Sequence, residues 1–388
     1  MTRALAVGYI PLVDAAPLIT AQALGFGEEE GLDLQLIRAA SWSMLRDMLD
    51  FGQVEAAHML SVVPVARSLG LGGGSVPLEV PMVMALNGET LGLSQRVARL
   101  VARLVAAPFG DALAAGLALT GLGQPLRIGV PFAFSMQAEL LHYWLERAAP
   151  GLAVSIHTVP PPRMAGALLA DEIDGFCVGE PWGSQAVSVV GARLLLPGSA
   201  IWSQAPEKVL ATRVGWCEAE PDMAGRLMRA IWRAGRWLSD PGNRLTASEV
   251  LAAPQYLGVA PELIDPGLSG RIILGPDGDE GFAAQFLTFH DGAANFPWRS
   301  QAAWIGARLA GRFDLDPATA QTKARAVFRS DLYRQHMVGT GAALPRASDK
   351  VEGILPEAEQ VPTTQGSLTL LRNRFFDGAI FDPYMATC

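Results

Sequence analysis

Hydrophobic and polar positions follow the same order twice along the first half of the chain. Short apolar runs, typical of strands in a buried parallel sheet, alternate with segments whose apolar residues recur at the spacing of amphipathic helices. The first copy predicts strands at 6–10, 34–37 and 56–60, with helices at 17–24 and 42–49. The second copy predicts strands at 127–130, 153–159 and 175–178, with helices at 136–147 and 163–170. Their nearly equal spacing indicates two βαβαβ units.

Each unit is expected to form an open parallel sheet with right-handed crossovers, so the sequence predicts an α/β protein with two βαβ lobes around a cleft. Ligands of such sheets bind beyond the carboxyl ends of the strands, where helix N-termini also point their free N–H groups. The strand ends here carry small residues, prolines and a few polar side chains, as in VPPP at 159–162 and VGEP at 178–181. We therefore expect a small, rigid ligand in the cleft.

The later part of the chain has a helical pattern. Segments with apolar residues at period 3.6 lie at 223–238, 246–253, 282–290, 299–313 and 318–338. The tail after Gly341 is expected to wrap the periphery. The predicted division is lobe 1 at 1–98, lobe 2 at 99–210, and a return to lobe 1 with a helical C-terminal extension at 211–388.

Composition narrows the class of protein. Half of the 388 residues are hydrophobic and 18% are charged, which suits a globular protein with large cores. The net charge of −8, without any Lys/Arg run, argues against direct binding to nucleic acid. The apolar stretch at 99–120 is interrupted by arginine, proline and aspartate, so we do not expect it to span a membrane.

The cysteines and the N-terminal pattern indicate the cellular compartment in which the protein is expected. Cys177, Cys217 and Cys388 form no CxxC pair and have no histidine partner at metal-ligand spacing, so no metal site is predicted and a reducing compartment is favoured. The first residues enter a strand pattern without an apolar signal region, which predicts a cytoplasmic protein.

Two residues suggest an anion site. Trp42 follows a predicted N-cap, Ser41, and its indole would lie beside the free N–H groups of a helix N-terminus. The alternative is that Trp42 belongs to a core stripe with Leu45 and Leu49. Lys208 could supply a counter-charge for the ligand, although a lone lysine is usually solvated.

Other polar residues leave alternatives open. Gln137, at the start of a helix, could donate across the cleft or face solvent. His58 could contact a ligand or be a satisfied, half-buried histidine. Glu180 could cap the following turn or orient ligand donors. Cys177 lies inside a strand and is expected to be an inert thiol, and no catalytic motif, nucleotide loop or cofactor site is found. A protein without enzymatic activity is predicted.

Several motifs in order resemble one protein family. They are GYIPLVDAAPLITAQALGF, AASWSMLRDML, AAHML, LNGETLGLS, HYWL, VPPPRM, IDGFCVGEPW, APEKVLATR, NFPWRS and DKVEG. Together they cover nearly the whole chain and resemble the nitrate and bicarbonate branch of the solute-binding proteins that serve ATP-driven transporters. The resemblance implies a periplasmic-binding-protein-like fold of type II.

The absent signal region makes the cytoplasmic nitrate/nitrite sensors of the NasS type the nearest resemblance within that branch. It implies binding of nitrate or nitrite and control of an RNA-binding antiterminator partner of the NasT type, without direct contact with nucleic acid. The alternative is the solute-binding component of a transporter for nitrate, bicarbonate or a related small ligand. An enzyme related to thiamin-pyrimidine synthesis is the third and weakest interpretation, since its histidine and cysteine sets are missing.

The resemblance also implies a ligand pocket. Its residues in this chain would be Trp42, Asn87, Glu89, Gln137, Pro162, Val178, Gly179, Glu180 and Lys208. Two positions depart from the family pattern, which usually has a neutral amide at Glu89 and often a histidine at Gln137. A carboxylate about 4 Å from a bound anion would cost about 4 kcal/mol at an effective dielectric near 20, which is half of the roughly 8 kcal/mol of a micromolar affinity. Glu89 must therefore turn away, bind in its protonated form, or belong to a site for another ligand.

Overall fold

The computed structural model describes residues 2–104, 107–363 and 366–385. The strands are β1 Arg3–Tyr9, β2 Leu32–Arg38, β3 Ala56–Leu60, β4 Leu78–Asn87, β5 Glu89–Leu93, β6 Leu126–Val130, β7 Val154–Thr158, β8 Gly175–Gly179, β9 Arg193–Pro197, β10 Pro206–Arg213, β11 Arg271–Ile273, β12 Glu280–Phe282, β13 Leu287–Thr288, β14 Glu359–Thr363 and β15 Gly366–Leu370. Cys388, one of the three cysteines used in the sequence argument, lies outside the described residues.

The α-helices lie mainly between the strands of the two lobes and in the second half of the chain. They are α1 Ala16–Ala23, α2 Phe26–Glu29, α3 Trp42–Asp50, α4 Val62–Ser68, α5 Gln95–Ala102, α6 Ala112–Thr120, α7 Met136–Ala148, α8 Met164–Leu169, α9 Trp182–Val190, α10 Trp216–Ala219, α11 Pro221–Leu238, α12 Arg244–Ala252, α13 Pro261–Ser269, α14 Arg299–Phe313, α15 Pro317–Val327 and α16 Ser330–Met337. Within the described ranges, none is both long and apolar enough to cross a membrane.

The two predicted βαβαβ units are present and have the same strand order. β1 lies between β2 and β3 in a parallel arrangement, and β6 lies between β7 and β8 in the same way. Each third strand then pairs with an antiparallel strand: β3 with β10, and β8 with β5. The sheets have the orders β13-β4-β10-β3-β1-β2 and β7-β6-β8-β5-β9. This pattern confirms the predicted two-lobed α/β fold.

The chain passes between the sheets twice. The first crossing is at Gly88, between β4 and β5, and the second is the segment between β9 and β10. The predicted lobe boundaries at 98/99 and 210/211 fall inside α5 and β10 rather than at these crossings. β5 follows the lobe 1 strand β4 but pairs in the lobe 2 sheet, and β10 follows the lobe 2 strand β9 but pairs in the lobe 1 sheet. Both are buried along nearly their whole length, so the sequence does not reveal which sheet receives them.

Most of the predicted C-terminal helices form, but the segment 282–290 is not a helix. It ends β12 and then contains β13, which pairs with Leu86 and Asn87 at the edge of the first sheet. The pairing supplies backbone hydrogen-bond partners that a helix would otherwise provide, so tertiary context overrides the local period.

The tail does more than wrap the periphery. Phe375 is buried and stacks on Trp202, with ring centroids 4.9 Å apart, and on Trp304 of α14 at 5.8 Å. Asp377 accepts a hydrogen bond of 2.9 Å from the Tyr143 hydroxyl of α7. The tail therefore joins lobe 2 to the second crossing and to the C-terminal helices.

Candidate ligand-binding site

An open cavity of about 550 Å³ lies where the carboxyl ends of strands from both lobes meet. Lobe 1 contributes the end of β1 and the segment 38–43, and lobe 2 contributes Pro131, Phe132 and the VPPP turn. The lining includes Trp42 and Pro162, two of the residues predicted to contact a ligand. The cavity is the cleft that the strand ends predict.

Trp42 is the first residue of α3. The side chain of Ser41 accepts a hydrogen bond of 3.2 Å from the Met44 N–H, so the predicted N-cap is confirmed. Trp42 is only 2% exposed and shares the buried side of α3 with Leu45 and Leu49. Trp42 thus belongs to the predicted core stripe and also lines the cleft, whereas its contact with an anion stays a prediction.

A β-bulge brings two charged side chains together beside Trp42. Pro206 and Lys208 of β10 pair with the consecutive residues Leu86 and Ala85 of β4, so Glu207 is an extra residue on its strand. Neighbouring side chains of a regular strand point to opposite faces, but a bulge removes this alternation. The Lys208 ammonium donates a hydrogen bond to Glu207 Oε1 and lies 5.5 Å from the centre of the Trp42 ring.

Lys208 is fully buried and has a second carboxylate partner. Its Nζ lies 2.7 Å from Oδ2 of Asp14, which belongs to the 3₁₀ helix Val13–Ala15 after β1. His58 Nε2 lies 3.0 Å from the other Asp14 oxygen. Burial disfavours the charge on Lys208, but the two carboxylates outweigh it and raise the lysine pKa. Lys208 is therefore a paired cation and not the lone, solvated lysine of the alternative interpretation.

The other members of this chain of contacts have shifted pKa values. Burial would raise the pKa of Asp14, but Lys208 and His58 lower it below its ordinary value. Burial lowers the pKa of His58 despite Asp14, which keeps the imidazole neutral. Burial raises the pKa of Glu207, and Lys208 opposes the shift.

Lobe 2 contributes Gln137 from the first turn of α7. Its Nε2 donates a hydrogen bond of 2.5 Å to Glu207 Oε1, and the side chain is 1% exposed. The contact joins the two lobes across the cleft, as one of the alternatives for Gln137 predicts, although its partner is a protein carboxylate.

Glu89 begins β5 and is completely buried. Its side chain packs so closely on the second crossing that a Cβ at Gly198 would overlap Glu89 Oε1. Burial raises its pKa well above the ordinary value, the charge of Glu207 adds to this, and Lys208 only partly opposes it. Neither carboxyl oxygen has a hydrogen-bond partner among the described residues. Burial and the neighbouring Glu207 therefore favour the protonated form of Glu89.

The strand end at 178–180 is hydrogen-bonded to lobe 1 and to the first crossing. The Val13 N–H donates to the Glu180 carbonyl over 2.8 Å, and the Glu180 N–H donates to the Gly88 carbonyl over 3.1 Å. A Cβ at Gly179 would lie 3.4 Å from Asp14 Oδ2, so a glycine lets the lobes approach here. Val178 is buried in the core.

The Glu180 carboxyl group points into lobe 2. It accepts hydrogen bonds from the Ser184 N–H at 2.9 Å and the Thr90 hydroxyl at 3.2 Å, and so caps α9. Burial raises the pKa of Glu180 to about 7, although the hydrogen bond from Ser184 opposes the shift. Glu180 thus caps the following turn, which is one of its two predicted roles.

Asn87 braces the first crossing. Its Nδ2 donates to the Ser203 carbonyl at 2.9 Å, and its backbone has φ of 56°, which asparagine tolerates better than most residues. The side chain therefore ties the two crossings together. Ligand contact by each of the nine residues of the predicted pocket stays a prediction.

The structure thus gathers Trp42, Glu89, Gln137 and Lys208 and adds Asp14, Glu207 and His58 to them. We call these seven residues the buried polar cluster. Asp14 and Glu207 are missed by the sequence argument. Asp14 is the single acid in an otherwise apolar and small run at 10–19, which is a usable signal, whereas the bulge that turns Glu207 inward leaves no trace in the sequence.

Comparisons with known proteins agree with this architecture. The sequence profile of the NMT1-like family matches residues 1–252. The crystal structure of the periplasmic nitrate-binding protein NrtA from Synechocystis PCC 6803 has a TM-score of 0.83 at 24% identity, and the match covers 98% of this chain and 96% of that chain. The likeness confirms the predicted periplasmic-binding-protein-like fold.

Curated relatives match over long stretches. The chain is 34% identical over 308 residues to the nitrate import ATP-binding protein NrtC of Synechocystis sp. (strain ATCC 27184 / PCC 6803 / Kazusa), covering 78% of this chain and 45% of that protein. It is 28% identical over 386 residues to the nitrate/nitrite binding protein NrtA of Nostoc sp. (strain PCC 7120 / SAG 25.82 / UTEX 2576), covering 97% and 82%. The chain therefore spans less than half the length of NrtC. The names of these relatives describe binding and import, which confirms the prediction that the chain is not an enzyme.

Proposed function

The chain belongs to the NMT1-like family, and on that premise we propose that it is a solute-binding protein that delivers a small planar solute to an ATP-driven importer. Its relatives are named for the import or binding of nitrate, nitrite or bicarbonate. These solutes share a small, flat shape with polar edges. By this proposal the chain binds a solute of the same shape and, like these relatives, serves import.

The buried polar cluster is the observation that carries this proposal. Its side chains come from β3, α3, β10 and the 3₁₀ helix after β1 in lobe 1, and from β5 and α7 in lobe 2, so a ligand there touches both lobes. Burying charged and polar side chains without full pairing costs stability, and a protein gains most from such a site when a ligand completes the hydrogen bonds. The flat Trp42 ring provides an apolar wall for a planar molecule.

A panel of solutes tests the proposal. We expect at least one of nitrate, nitrite, bicarbonate, urea or guanidinium at millimolar concentration to raise the melting temperature of the full chain in scanning calorimetry, because a ligand at one hundred times its Kd stabilises by about 2.7 kcal/mol. Sulfate, which is tetrahedral, is the control. No shift with any planar solute, or an equal shift with sulfate, would contradict the proposal.

The sensor hypothesis stays a prediction, as does the cytoplasmic location. Nitrate would have to stabilise a closed cleft that binds the antiterminator less well than the open cleft does. A pull-down of the chain from its source cell distinguishes the importer role from the sensor role. Recovery of permease subunits supports import, whereas recovery of a small RNA-binding protein that millimolar nitrate releases would favour the sensor.

A further inference from the structure

Given the proposed function, on which this inference rests, we propose that the solute is a planar N–H donor of the urea or guanidinium type rather than an oxyanion. The proposal concerns the chemistry of the buried polar cluster. It follows from the unpaired atoms there, from the charges and from the shape.

Unpaired acceptors outnumber unpaired donors in the cluster. Both carboxyl oxygens of Glu89, Oε2 of Glu207 and Oε1 of Gln137 are buried without a hydrogen-bond partner among the described residues. Both Asp14 oxygens also lack a hydrogen bond, although they lie close to Lys208 Nζ and His58 Nε2. The unpaired nitrogens of the cluster as described are Trp42 Nε1 and the two His58 ring nitrogens, of which only one donates in a neutral imidazole. Buried polar atoms are normally satisfied. A ligand that completes this set must mainly donate.

The charges point the same way. The one buried cation of the cluster, Lys208, already contacts both Asp14 and Glu207, so it has little charge left for an incoming anion. Lys208 and Asp14 cancel, and any ionised fraction of Glu207 or Glu89 makes the cluster negative. A bound oxyanion would therefore meet a neutral or negative surrounding, whereas a neutral or cationic donor would not be repelled.

Protonated Glu89 does not reverse this conclusion. A neutral carboxyl group donates through a single O–H, and the Gln137 amide N–H₂ already donates to Glu207 over 2.5 Å. The nearby amide and carboxyl groups thus offer few donors to the three acceptor oxygens of a nitrate or bicarbonate ion. Urea and guanidinium instead present N–H groups in one plane, and parallel N–H bonds to a carboxylate are among the stronger hydrogen bonds in proteins.

The Trp42 ring selects for flat molecules. Lys208 Nζ lies 5.5 Å from its centre, and the His58 ring centroid lies 6.1 Å away at an interplanar angle of 41°. A planar cation or amide stacks on such an indole face favourably. A spherical cation such as ammonium gains less from the flat wall, which is why the planar class is favoured.

Isothermal titration of the full chain tests the inference. The probes are guanidinium chloride, urea, sodium nitrate, sodium nitrite and sodium bicarbonate, each below the concentrations that affect folding, with sodium chloride as the blank. We expect guanidinium or urea to bind at least tenfold more tightly than every anion. A smaller preference, or a preference for an anion, overturns the inference and leaves the proposed function standing. No binding by any of the five solutes overturns both.

The same titration of the Glu89→Gln variant is the second test. The substitution keeps the side-chain shape but removes the ionisable group and adds an N–H₂ donor, so guanidinium binding should fall at least tenfold and nitrate binding should increase. Glu172→Gln makes the same change of side chain at an exposed position of lobe 2 and should change neither affinity. Equal guanidinium affinity in wild type and Glu89→Gln would overturn the placement of the donor at Glu89.

Discussion

The Lys208 ammonium lies 2.7 Å from Asp14 Oδ2, and both side chains are buried in the first lobe. Asp14 lies in the short 3₁₀ helix after the first strand, and Lys208 lies in a strand that returns nearly two hundred residues later. This pair links the segment after β1 to β10, which lie on either side of β3 in the lobe 1 sheet, and it forms one wall of the proposed ligand site. Stability and ligand binding therefore depend on some of the same atoms.

Removing Lys208 is expected to destabilise the protein strongly. Lys208→Met leaves Asp14 without its cation, and breaking a buried ion pair from one side costs about 3–5 kcal/mol. Lys323→Met removes a lysine from the exposed face of α15 and should be nearly neutral. Scanning calorimetry is the appropriate measurement, since urea and guanidinium are proposed ligands. Equal melting temperatures for the two variants would contradict the structural role of the pair.

Trp42→Ala is expected to weaken solute binding at least tenfold, because the variant removes the flat wall of the site. Trp237→Ala is the matched control, since Trp237 is half-buried near the end of α11 and belongs to a different surface cavity. Titration with whichever solute binds wild type most tightly gives the comparison. If both variants bind like wild type, the site is not at Trp42.

The raised pKa of Glu180 predicts that the stability of the fold decreases as pH rises. Its pKa is raised from 4.5 to about 7 by burial, against the hydrogen bond from Ser184, so the folded state holds the proton more tightly than the unfolded state. As pH rises from about 4.5 through about 7, the fold should lose about 3 kcal/mol from this group. Glu180→Gln keeps an acceptor for the Ser184 N–H and cannot ionise.

The difference in unfolding free energy between Glu180→Gln and wild type should therefore grow in favour of the variant from pH 5 to pH 8. Calorimetric melts across that range measure it. A difference that is constant with pH would show that Glu180 ionises in the folded protein as easily as in the unfolded one.

Gly198→Ala should destabilise the protein by about 1–3 kcal/mol, because its new methyl group overlaps the Glu89 carboxyl group. In a Glu89→Ala background the methyl group has room, so the same substitution should cost much less. The double-mutant cycle in thermal unfolding gives the coupling free energy. Additive effects of the two substitutions would mean that the side chains do not meet.

Much of the fold could be predicted from the sequence. The repeated alternation of strand and helix places ten elements correctly because both lobes bury apolar faces at regular periods. The crossings are not predictable in this way. β5 and β10 are short strands buried along nearly their whole length, which suits either sheet. Only long-range pairing decides that Glu89 lies in one sheet and Lys208 in the other.

Residues of the candidate site could be predicted from the sequence only where their role depends on local features of the chain. Trp42 after Ser41 and the start of α7 at Gln137 are local features. The pairing of Lys208 with Asp14 and Glu207 depends on a bulge and on contacts distant in sequence. For that reason a motif-based pocket predicts an anion site, whereas the assembled cluster is rich in acceptors.

A crystal structure of the protein grown with guanidinium or urea would show which solute occupies the site at Trp42. We predict density for a flat molecule against the Trp42 ring, with N–H groups within about 3.2 Å of the Glu89 carboxyl oxygens. Density for nitrate or bicarbonate at that position in competition with the N–H donors would contradict the proposed ligand class. Solute bound only elsewhere on the protein, with the Trp42 face uncovered, would contradict the site itself.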